Sequence, residues 1–222
     1  MLIRLLRQCF INQNYIMVEP YNSLGVFIDG GYLAKINEAL ADQMDLNVNI
    51  KGLFEYISHK VAELYGDTSE NCPIVESHYF RGRFRAESES RMHLLFNERK
   101  FEDSLIENDV VFHYKHLRQC ENNGRQVIIE KGIDVWFALE AFELALHRKF
   151  DFVVLMTGDA DHEMLIRKLK ALKIRVILLN WNLGPQSSTS HFLVEEACSK
   201  IDLGDMVAED SELLDQITVR KY

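Results

Sequence analysis

The stretch VVLMTGDADHEMLIRKLK, from Val153 to Lys170, decides the fold. Its continuous apolar start predicts a strand that is buried on both faces, as in a parallel sheet. The apolar spacing after the acidic residues predicts an amphipathic helix that begins close to the end of this strand. Asp159 and Asp161 lie between the two elements. These carboxylates either start the helix or hold a metal ion.

Other parts of the chain repeat this order of a buried strand followed by a helix. LGVFIDGG at 24–31 predicts a first strand with its exit turn, and IVESHYFRGRF at 74–84 predicts a second. Helical patterns and one further strand are expected at 53–64, 87–107, 133–149 and 174–181. Alternating strands and helices are typical of β-α units in a parallel sheet. The predicted fold class is therefore α/β.

The segment from Asp109 to Glu130 is expected to form a hairpin. DVVFHYKHL at its start alternates in a way that predicts a strand with one face near solvent. The Asn-Asn-Gly sequence at 122–124 supplies a turn, and a second short strand follows it.

Length and composition predict one domain. With 222 residues, the chain is long enough for one well-packed α/β domain and short for two. Hydrophobic residues make up 47% and charged residues 27%, the balance of an ordinary globular protein. We expect an N-terminal extension over 1–22, the domain over 23–203 and a frayed acidic tail over 204–222. Met1 and Met17 are both candidates for the natural start.

Charge and cysteine usage exclude several classes of protein. A net charge of -9 argues against a protein that coats duplex DNA, because such binding depends on Lys and Arg displacing counterions. The 4 cysteines form no CxxC pair, which argues against a zinc ribbon or a dithiol site and favours a reduced, cytoplasmic protein. No apolar run approaches the roughly 20 residues of a spanning helix, so no membrane association is expected.

Acidic residues follow several of the predicted strands. Asp29 ends the first strand, Asp134 starts a helix, and Asp159 and Asp161 follow the central strand. Ligands of parallel sheets gather at the carboxyl ends of the strands, so these side chains are expected to meet.

Each carboxylate alone has a structural alternative. Asp134 and Asp159 both suit the N-cap of a helix, whereas the glycines after Asp29 could make their turn without a carboxylate. Several carboxylates in one crevice repel each other, and a shared cation is the better explanation of the whole set. Ligands that are all oxygen favour Mg²⁺ or Mn²⁺.

Three segments connect these residues to a known family. VFIDGGYL, KGIDVWFALEAFELAL and FDFVVLMTGDADHEMLIRKLKALKIRVILL occur in the order of related segments in the NYN domain family. From Leu24 to Trp181, the chain resembles this family of PIN-like nucleases, and within it the LabA-like bacterial branch. The resemblance implies a PIN-like, doubly wound, mostly parallel sheet with helices on both faces. It also implies an acidic pocket that binds Mg²⁺ or Mn²⁺ and hydrolyses phosphodiester bonds in RNA.

The resemblance assigns roles to the four acidic residues. The family's first-strand Asp falls on Asp29, its helix-start Asp on Asp134, and the two Asp of its SGDxDF motif on Asp159 and Asp161. We expect the first three to bind metal directly or through water, and Asp161 to be a further ligand or to orient a metal-bound water. Metal ions held on carboxylates activate water and neutralise phosphoryl charge, as the hydrolysis requires.

Three positions depart from the family pattern. Many members carry Asn where this chain has Tyr32, a change that alters an expected nucleotide contact. An aromatic residue is usual where this chain has His162, which could pass a proton to the leaving group or simply face solvent. Thr157 replaces a Ser and keeps its hydroxyl, which could bond a ligand or phosphate or serve as a turn residue.

Cations near the acidic residues are candidates for RNA contacts. Arg81, Arg83 and Arg85 could share one face of a strand, beside Tyr79 and Phe80 that could stack on bases. The alternative is a solvated strand edge whose charges discourage pairing. Lys131, just before Asp134, is a further candidate for a phosphate contact.

Two functions follow from these observations. The first is a metal-dependent ribonuclease that cleaves single-stranded or structured RNA, and the second is a non-catalytic, RNA-binding or regulatory protein. An aspartyl nucleophile at Asp29 is disfavoured because position 31 is Gly31 rather than a second carboxylate. A Toprim-like site shares the DxD pair but would begin with Glu, and neither GxxxxGK[ST] nor GxGxxG occurs. Association of two copies of the chain is left open.

Overall fold

The computed structural model describes residues 21–83, 92–122 and 125–221. Within them, the strands are β1 Leu24–Asp29, β2 Leu46–Val48, β3 Ile74–Arg83, β4 Val111–His116, β5 Arg118–Asn122, β6 Arg125–Ile129, β7 Phe152–Met156, β8 Arg175–Asn180, β9 Ser199–Asp202 and β10 Thr218–Arg220. The α-helices are α1 Gly30–Met44, α2 Ile50–Tyr65, α3 Met92–Ile106, α4 Ile133–Arg148, α5 Glu163–Ala171, α6 His191–Glu196, α7 Leu203–Glu209 and α8 Ser211–Ile217. None of these helices is long and apolar enough to cross a membrane.

The central sheet has six strands in the order β4-β3-β1-β7-β8-β9. Every neighbouring pair is parallel. From β1 the chain extends the sheet to one side through β3 and β4, and from β7 it extends the other side through β8 and β9. The direction of winding therefore switches between β1 and β7. In open α/β sheets, the crevice at such a switch point is where ligands bind.

Two apolar cores cover the two faces of the sheet. One contains α1, α2, α7 and α8, with Leu33, Leu53 and Ile217 fully buried. The other contains α4 and α5, with Phe137 and Ile166 fully buried or nearly so. All five residues of β7 are buried between these cores, which explains its continuous apolar sequence. The predicted α/β class and the placement of helices on both faces are confirmed.

Helix α1 begins one residue after β1, where the sequence predicted only a turn. Asp29 is its N-cap, and the Asp29 carboxylate accepts hydrogen bonds from the N–H groups of Gly31 and Tyr32. These bonds satisfy N–H groups that have no partner inside the helix. The two glycines are therefore the first residues of a helix.

Two other expectations need correction. Residues 109–130 do not form one hairpin, because β4 pairs in parallel with β3 and the antiparallel hairpin consists of β5 and β6. The segment after 203, predicted to be a frayed tail, forms α7, α8 and β10 instead. Leu213 is buried in the core, and β10 pairs with β2, so this segment is part of the fold. The predicted extension lies outside the described residues as far as residue 20.

Candidate active site

A groove of about 930 Å³ lies at the carboxyl end of the sheet, beside the switch point. Asp29 reaches it from the end of β1, Asp159 from the loop after β7, and Asp134 from the first turn of α4. Three elements that are distant in sequence therefore bring their carboxylates to the same groove, and these are three of the four acidic residues that the sequence analysis expected to meet.

The Asp29 carboxylate has a fixed orientation. Its Oδ1 accepts hydrogen bonds from the Gly31 and Tyr32 N–H groups, at 2.8 and 3.1 Å. Its Oδ2 accepts one from the Thr157 hydroxyl at 3.2 Å. Asp29 therefore caps α1, a role that the sequence analysis had suggested for Asp134 and Asp159 at their own helices but not for Asp29.

The Thr157 hydroxyl joins Asp29 to the loop that follows β7. Besides donating to Asp29, Thr157 Oγ1 accepts from the Asp159 N–H at 3.3 Å and lies 3.1 Å from His162 Nδ1. A hydroxyl has one hydrogen and two lone pairs, so this set uses all of its capacity. The hydroxyl hydrogen of Thr157 is already donated to Asp29. We therefore infer that His162 Nδ1 carries a hydrogen and donates a hydrogen bond to Thr157 Oγ1. The role of Thr157 is therefore to hold Asp29.

His162 is buried beneath this network and does not face solvent. Its side chain is 1% exposed, and its ring packs against Phe137 with the centroids 4.6 Å apart. His162 Nε2 has no hydrogen-bond partner in the described part of the chain. The expected solvent-facing orientation is wrong, and His162 does not line the groove. It contacts Asp29 only through Thr157.

Asp134 is not a helix cap. The N-cap of α4 is Gly132, which has a positive φ of 79° and makes no side-chain cap. Desolvation by the surrounding protein raises the pKa of the Asp134 carboxyl, and the charges of Asp29 and Asp159 raise it further. The Asp134 carboxylate is therefore close enough to those of Asp29 and Asp159 to be repelled by both.

Asp159 both caps a short helix and lines the groove. Its Oδ1 accepts from the Asp161 N–H at 3.0 Å and caps the short 3₁₀ helix Ala160–His162. Asp161 is exposed, and its side chain is not among those that line the groove. A metal-binding role for Asp161 stays a prediction.

A fourth carboxylate, Glu130, was missed by the sequence analysis. Glu130 lines the groove, and its Oε2 accepts a hydrogen bond from the Gly82 N–H at 2.8 Å. A Cβ on Gly82 would collide with this carboxylate, so a larger residue there would displace the Glu130 side chain. A Cβ on Gly31 would lie 3.1 Å from Asp29 Oδ1 and 3.8 Å from Glu130 Oε1, which places both acids around that glycine. The one feature of the sequence that indicated a place near the site was the position of Glu130 just before α4.

The arginines of β3 are only partly placed as predicted. Arg81 lines the groove, and its Nη1 donates to the Gly30 carbonyl at 2.8 Å. Arg83 lies 3.4 Å from a Glu102 oxygen and outside the groove lining. The strand-edge alternative is wrong, because β3 lies between β1 and β4. Arg85 lies outside the described residues.

The other residues predicted to contact the substrate are either buried or exposed outside the groove. Phe80 is fully buried and stacks on His113, so it is not available to a base, and Tyr79 is 6% exposed. Tyr32 is 4% exposed, and its hydroxyl accepts from the Trp181 N–H at 3.1 Å. Burial raises the pKa of this phenol.

Lys131 is exposed but does not line the groove, whereas Lys35 does.

Comparison with protein families decides the relationship. The model of the NYN domain matches residues 23–204. The chain belongs to the NYN domain family. This family is part of the PIN-like nuclease superfamily, and the mostly parallel six-stranded sheet agrees with a PIN-like domain.

Solved structures support the fold alone. A protein of unknown function from Vibrio parahaemolyticus is similar with a TM-score of 0.57 and 17% identity, over 84% of this chain and 96% of that chain. MurG from Acinetobacter baumannii has a TM-score of 0.37 and 14% identity, over 82% and 41% of the two chains, which is too low to argue a relationship. No curated protein matches the chain.

The two departures from the NYN pattern are explained by packing. The buried His162 ring packs against Phe137, as an aromatic residue would at this position of the NYN motif. Tyr32 connects α1 to the segment after β8, because its hydroxyl also lies 3.0 Å from Thr189 Oγ1. Tyr32 therefore lines the NYN groove as part of its wall, whereas His162 supports the groove from inside the protein.

The donor chemistry of the groove suits a divalent cation of the kind that PIN-like nucleases generally use. Its acidic groups are all carboxylates, the ligands that Mg²⁺ and Mn²⁺ prefer. Among the described residues, no group of three or more His, Cys, Asp or Glu side chains is placed so that it could hold an ion. Mg²⁺ usually keeps several waters and binds through one or two carboxylates, so it needs no such group. The residues present therefore fit a hydrated cation.

Proposed function

We propose that this NYN protein is a divalent-metal-dependent ribonuclease that hydrolyses phosphodiester bonds of single-stranded or structured RNA. One observation carries the proposal: Asp29, Asp134 and Asp159 line one groove, and Asp29 and Asp159 contribute to the raised pKa of Asp134. Carboxylates that repel each other without a partner weaken the fold, so a fold keeps them mainly where a cation neutralises them.

The carboxylates and the cations of the groove have different proposed roles. Asp29 is held by three hydrogen bonds, so it offers a fixed carboxylate, and Asp134 and Asp159 face the same space. Bound Mg²⁺ or Mn²⁺ would make a water more acidic and neutralise phosphoryl charge. Lys35 and Arg81 line the groove and would attract the phosphates of the RNA.

Cleavage assays test the proposal. Purified protein is incubated with labelled RNA in Mn²⁺, in Mg²⁺ and in EDTA. We expect cleavage only with a divalent ion, and a larger loss in the double variant Asp134→Asn, Asp159→Asn than the roughly 10–100-fold typical of outer-shell changes. Asp215→Asn, an exposed change on α8, is the matched control and should cleave normally. Robust cleavage by the double variant would refute the proposal.

The second candidate is a non-catalytic, RNA-binding or regulatory NYN protein. It is favoured by Tyr32 and His162, which stand where many members of the NYN family carry Asn and an aromatic residue. RNA binding in EDTA, with no cleavage in any divalent ion, would establish it. Failure of both binding and cleavage would point to a protein-interaction role instead.

A further inference from the structure

A second cavity adjoins the acidic groove. It has a volume of about 260 Å³ and lies between β3, α1 and α3. Ala34, Arg81 and Gly82 line both this cavity and the groove, so the two spaces share a wall. A polymer whose backbone occupies the groove would therefore have a neighbouring group at the mouth of the cavity.

Aromatic rings form much of the cavity lining. They belong to Tyr79, Phe101 and Tyr114, which come from two strands and a helix. Tyr79 lies edge to face with Phe101 and with Tyr114, with centroids 6.1 and 6.3 Å apart. This arrangement gives the cavity rigid apolar walls suited to a flat ring.

The polar groups of the cavity are held in place by one another. Glu102 accepts from the Tyr114 hydroxyl at 2.8 Å and pairs with Arg83, whose guanidinium lies 5.1 Å from the centre of the Tyr114 ring. Asn37 also lines the cavity, and its Oδ1 accepts a hydrogen bond from the Val48 N–H at 2.8 Å, which holds this side chain in place. The cavity therefore offers fixed donors and acceptors at the edge of an apolar space.

This combination matches the way proteins bind unpaired bases. Bases splayed out of a single strand are held by aromatic side chains or guanidinium planes and by hydrogen bonds to their edges. A volume of 260 Å³ is slightly below the roughly 300–1,000 Å³ of ordinary small-molecule pockets, so one ring system fits better than a larger ligand.

We propose that this cavity binds one unpaired nucleobase of the RNA whose backbone lies in the acidic groove. The proposal rests on the proposed function, since it takes RNA as the ligand. Arg81 lies at the junction and would contact the phosphate next to the bound base. A base inside a duplex cannot enter, so the cut site lies in single-stranded RNA and has a preferred base beside it.

Binding of single nucleotides tests the cavity without catalysis. The four ribonucleoside 5′-monophosphates are titrated into the full chain in EDTA and followed by NMR. We expect saturable binding of at least one, weakened about tenfold or more in Asn47→Phe, because a phenyl ring there fills the cavity and the lost base contact is worth about that factor. Asn182→Phe makes the same change at an exposed position outside both spaces and should bind normally.

A second variant keeps the test decisive if Asn47→Phe does not fold. Glu102→Gln keeps the shape of the side chain but removes the charge that pairs with Arg83, and it should also weaken nucleotide binding. The absence of saturable binding by all four nucleotides, or unchanged binding in the folded variants, would overturn the base site.

Sequencing of cleavage products separates this inference from the proposed function. Wild-type protein should show a base preference beside its cut sites that Asn47→Phe reduces. Cleavage without such a preference and without nucleotide binding would refute the base site and leave the ribonuclease standing. Nucleotide binding that Asn47→Phe abolishes, in a protein that never cleaves RNA, would retain the base site and refute the ribonuclease.

Discussion

Asp29 and Asp202 occupy the same kind of position in two regions of the sheet. Each ends a parallel strand and caps the helix that follows, through hydrogen bonds from two backbone N–H groups. Asp202 Oδ2 also accepts from Asn180 at 2.8 Å and from the Lys200 ammonium at 3.3 Å. Asp29 instead has a threonine hydroxyl as its distant partner and two carboxylates as neighbours.

Their surroundings have opposite electrostatic effects. Burial alone would raise the pKa of Asp202, but the hydrogen bonds from Asn180 and Lys200 lower it below its usual value. In the groove, desolvation and the charges of Asp29 and Asp159 raise the pKa of Asp134. Capping explains why an Asp ends each strand, but it does not explain why Asp134 and Asp159 gather beside Asp29. That difference is the reason for proposing a function for Asp29 and not for Asp202.

Replacing Asp29 by Asn gives the largest expected effect. Asn caps a helix about as well as Asp, so α1 should remain folded while the charge is lost. We expect the metal-dependent cleavage of RNA to fall by more than about 100-fold, beyond what outer-shell changes cause. Cleavage rates and circular dichroism measure the two properties. Full activity in Asp29→Asn would mean that Asp29 is only a cap, like Asp202.

The Thr157 hydroxyl provides the next test. Thr157→Val keeps the shape but removes the donor to Asp29 and the acceptor for His162, so cleavage should fall by about 10–100-fold. Thr157→Ser restores the hydroxyl and should retain most of the activity. Equal rates for Val and Ser would show that the orientation of Asp29 does not matter.

Asp202→Ala should separate stability from activity. Loss of a helix cap alone costs about 0.5–2 kcal/mol, and the variant also loses the hydrogen bonds from Asn180 and Lys200, so the free energy of unfolding should decrease by at least about 1 kcal/mol. RNA cleavage should be unchanged, because Asp202 does not line the groove. Denaturant unfolding and cleavage rates test these outcomes, and a selective loss of activity would contradict the comparison.

Asp134→Asn should have the smallest effect on stability, and this variant should stabilise the folded protein rather than weaken it. The raised pKa means that ionised Asp134 destabilises the folded state above its folded pKa, whereas the protonated form at low pH does not. In EDTA the variant should therefore have a higher Tm than wild type at pH 7, and the gain should disappear as the pH falls below the ordinary value of 3.8. A lower Tm at pH 7 would argue against repulsion in the groove.

Much of this architecture could be predicted from the sequence, for identifiable reasons. β1 and β7 have continuous apolar sequences because both of their faces are covered. Asp29 and Asp159 could be predicted as site residues because they lie at or just after the ends of these strands. Glu130 could not be predicted in the same way, because its place depends on the hairpin before it and on its contact with Gly82. The burial of His162 was hidden as well, since a polar residue at a helix start usually faces solvent.

The base cavity was also out of reach of the sequence. Its lining combines Asn37 of α1, Phe101 of α3 and Tyr114 of β4, which lie far apart in the chain and meet only in the folded protein. The C-terminal residues were misjudged because their acidic composition concealed the apolar contacts of Leu213 and Ile217.

The central claim is that the groove lined by Asp29, Asp134 and Asp159 holds a hydrated divalent cation. Diffraction from crystals soaked in Mn²⁺ tests it most directly, since manganese gives an anomalous signal. The account predicts an anomalous peak in the groove between these three carboxylates in wild-type protein, and its loss in Asp134→Asn, Asp159→Asn. A groove without a peak in well-diffracting wild-type crystals, or a peak that persists in the double variant, would contradict it.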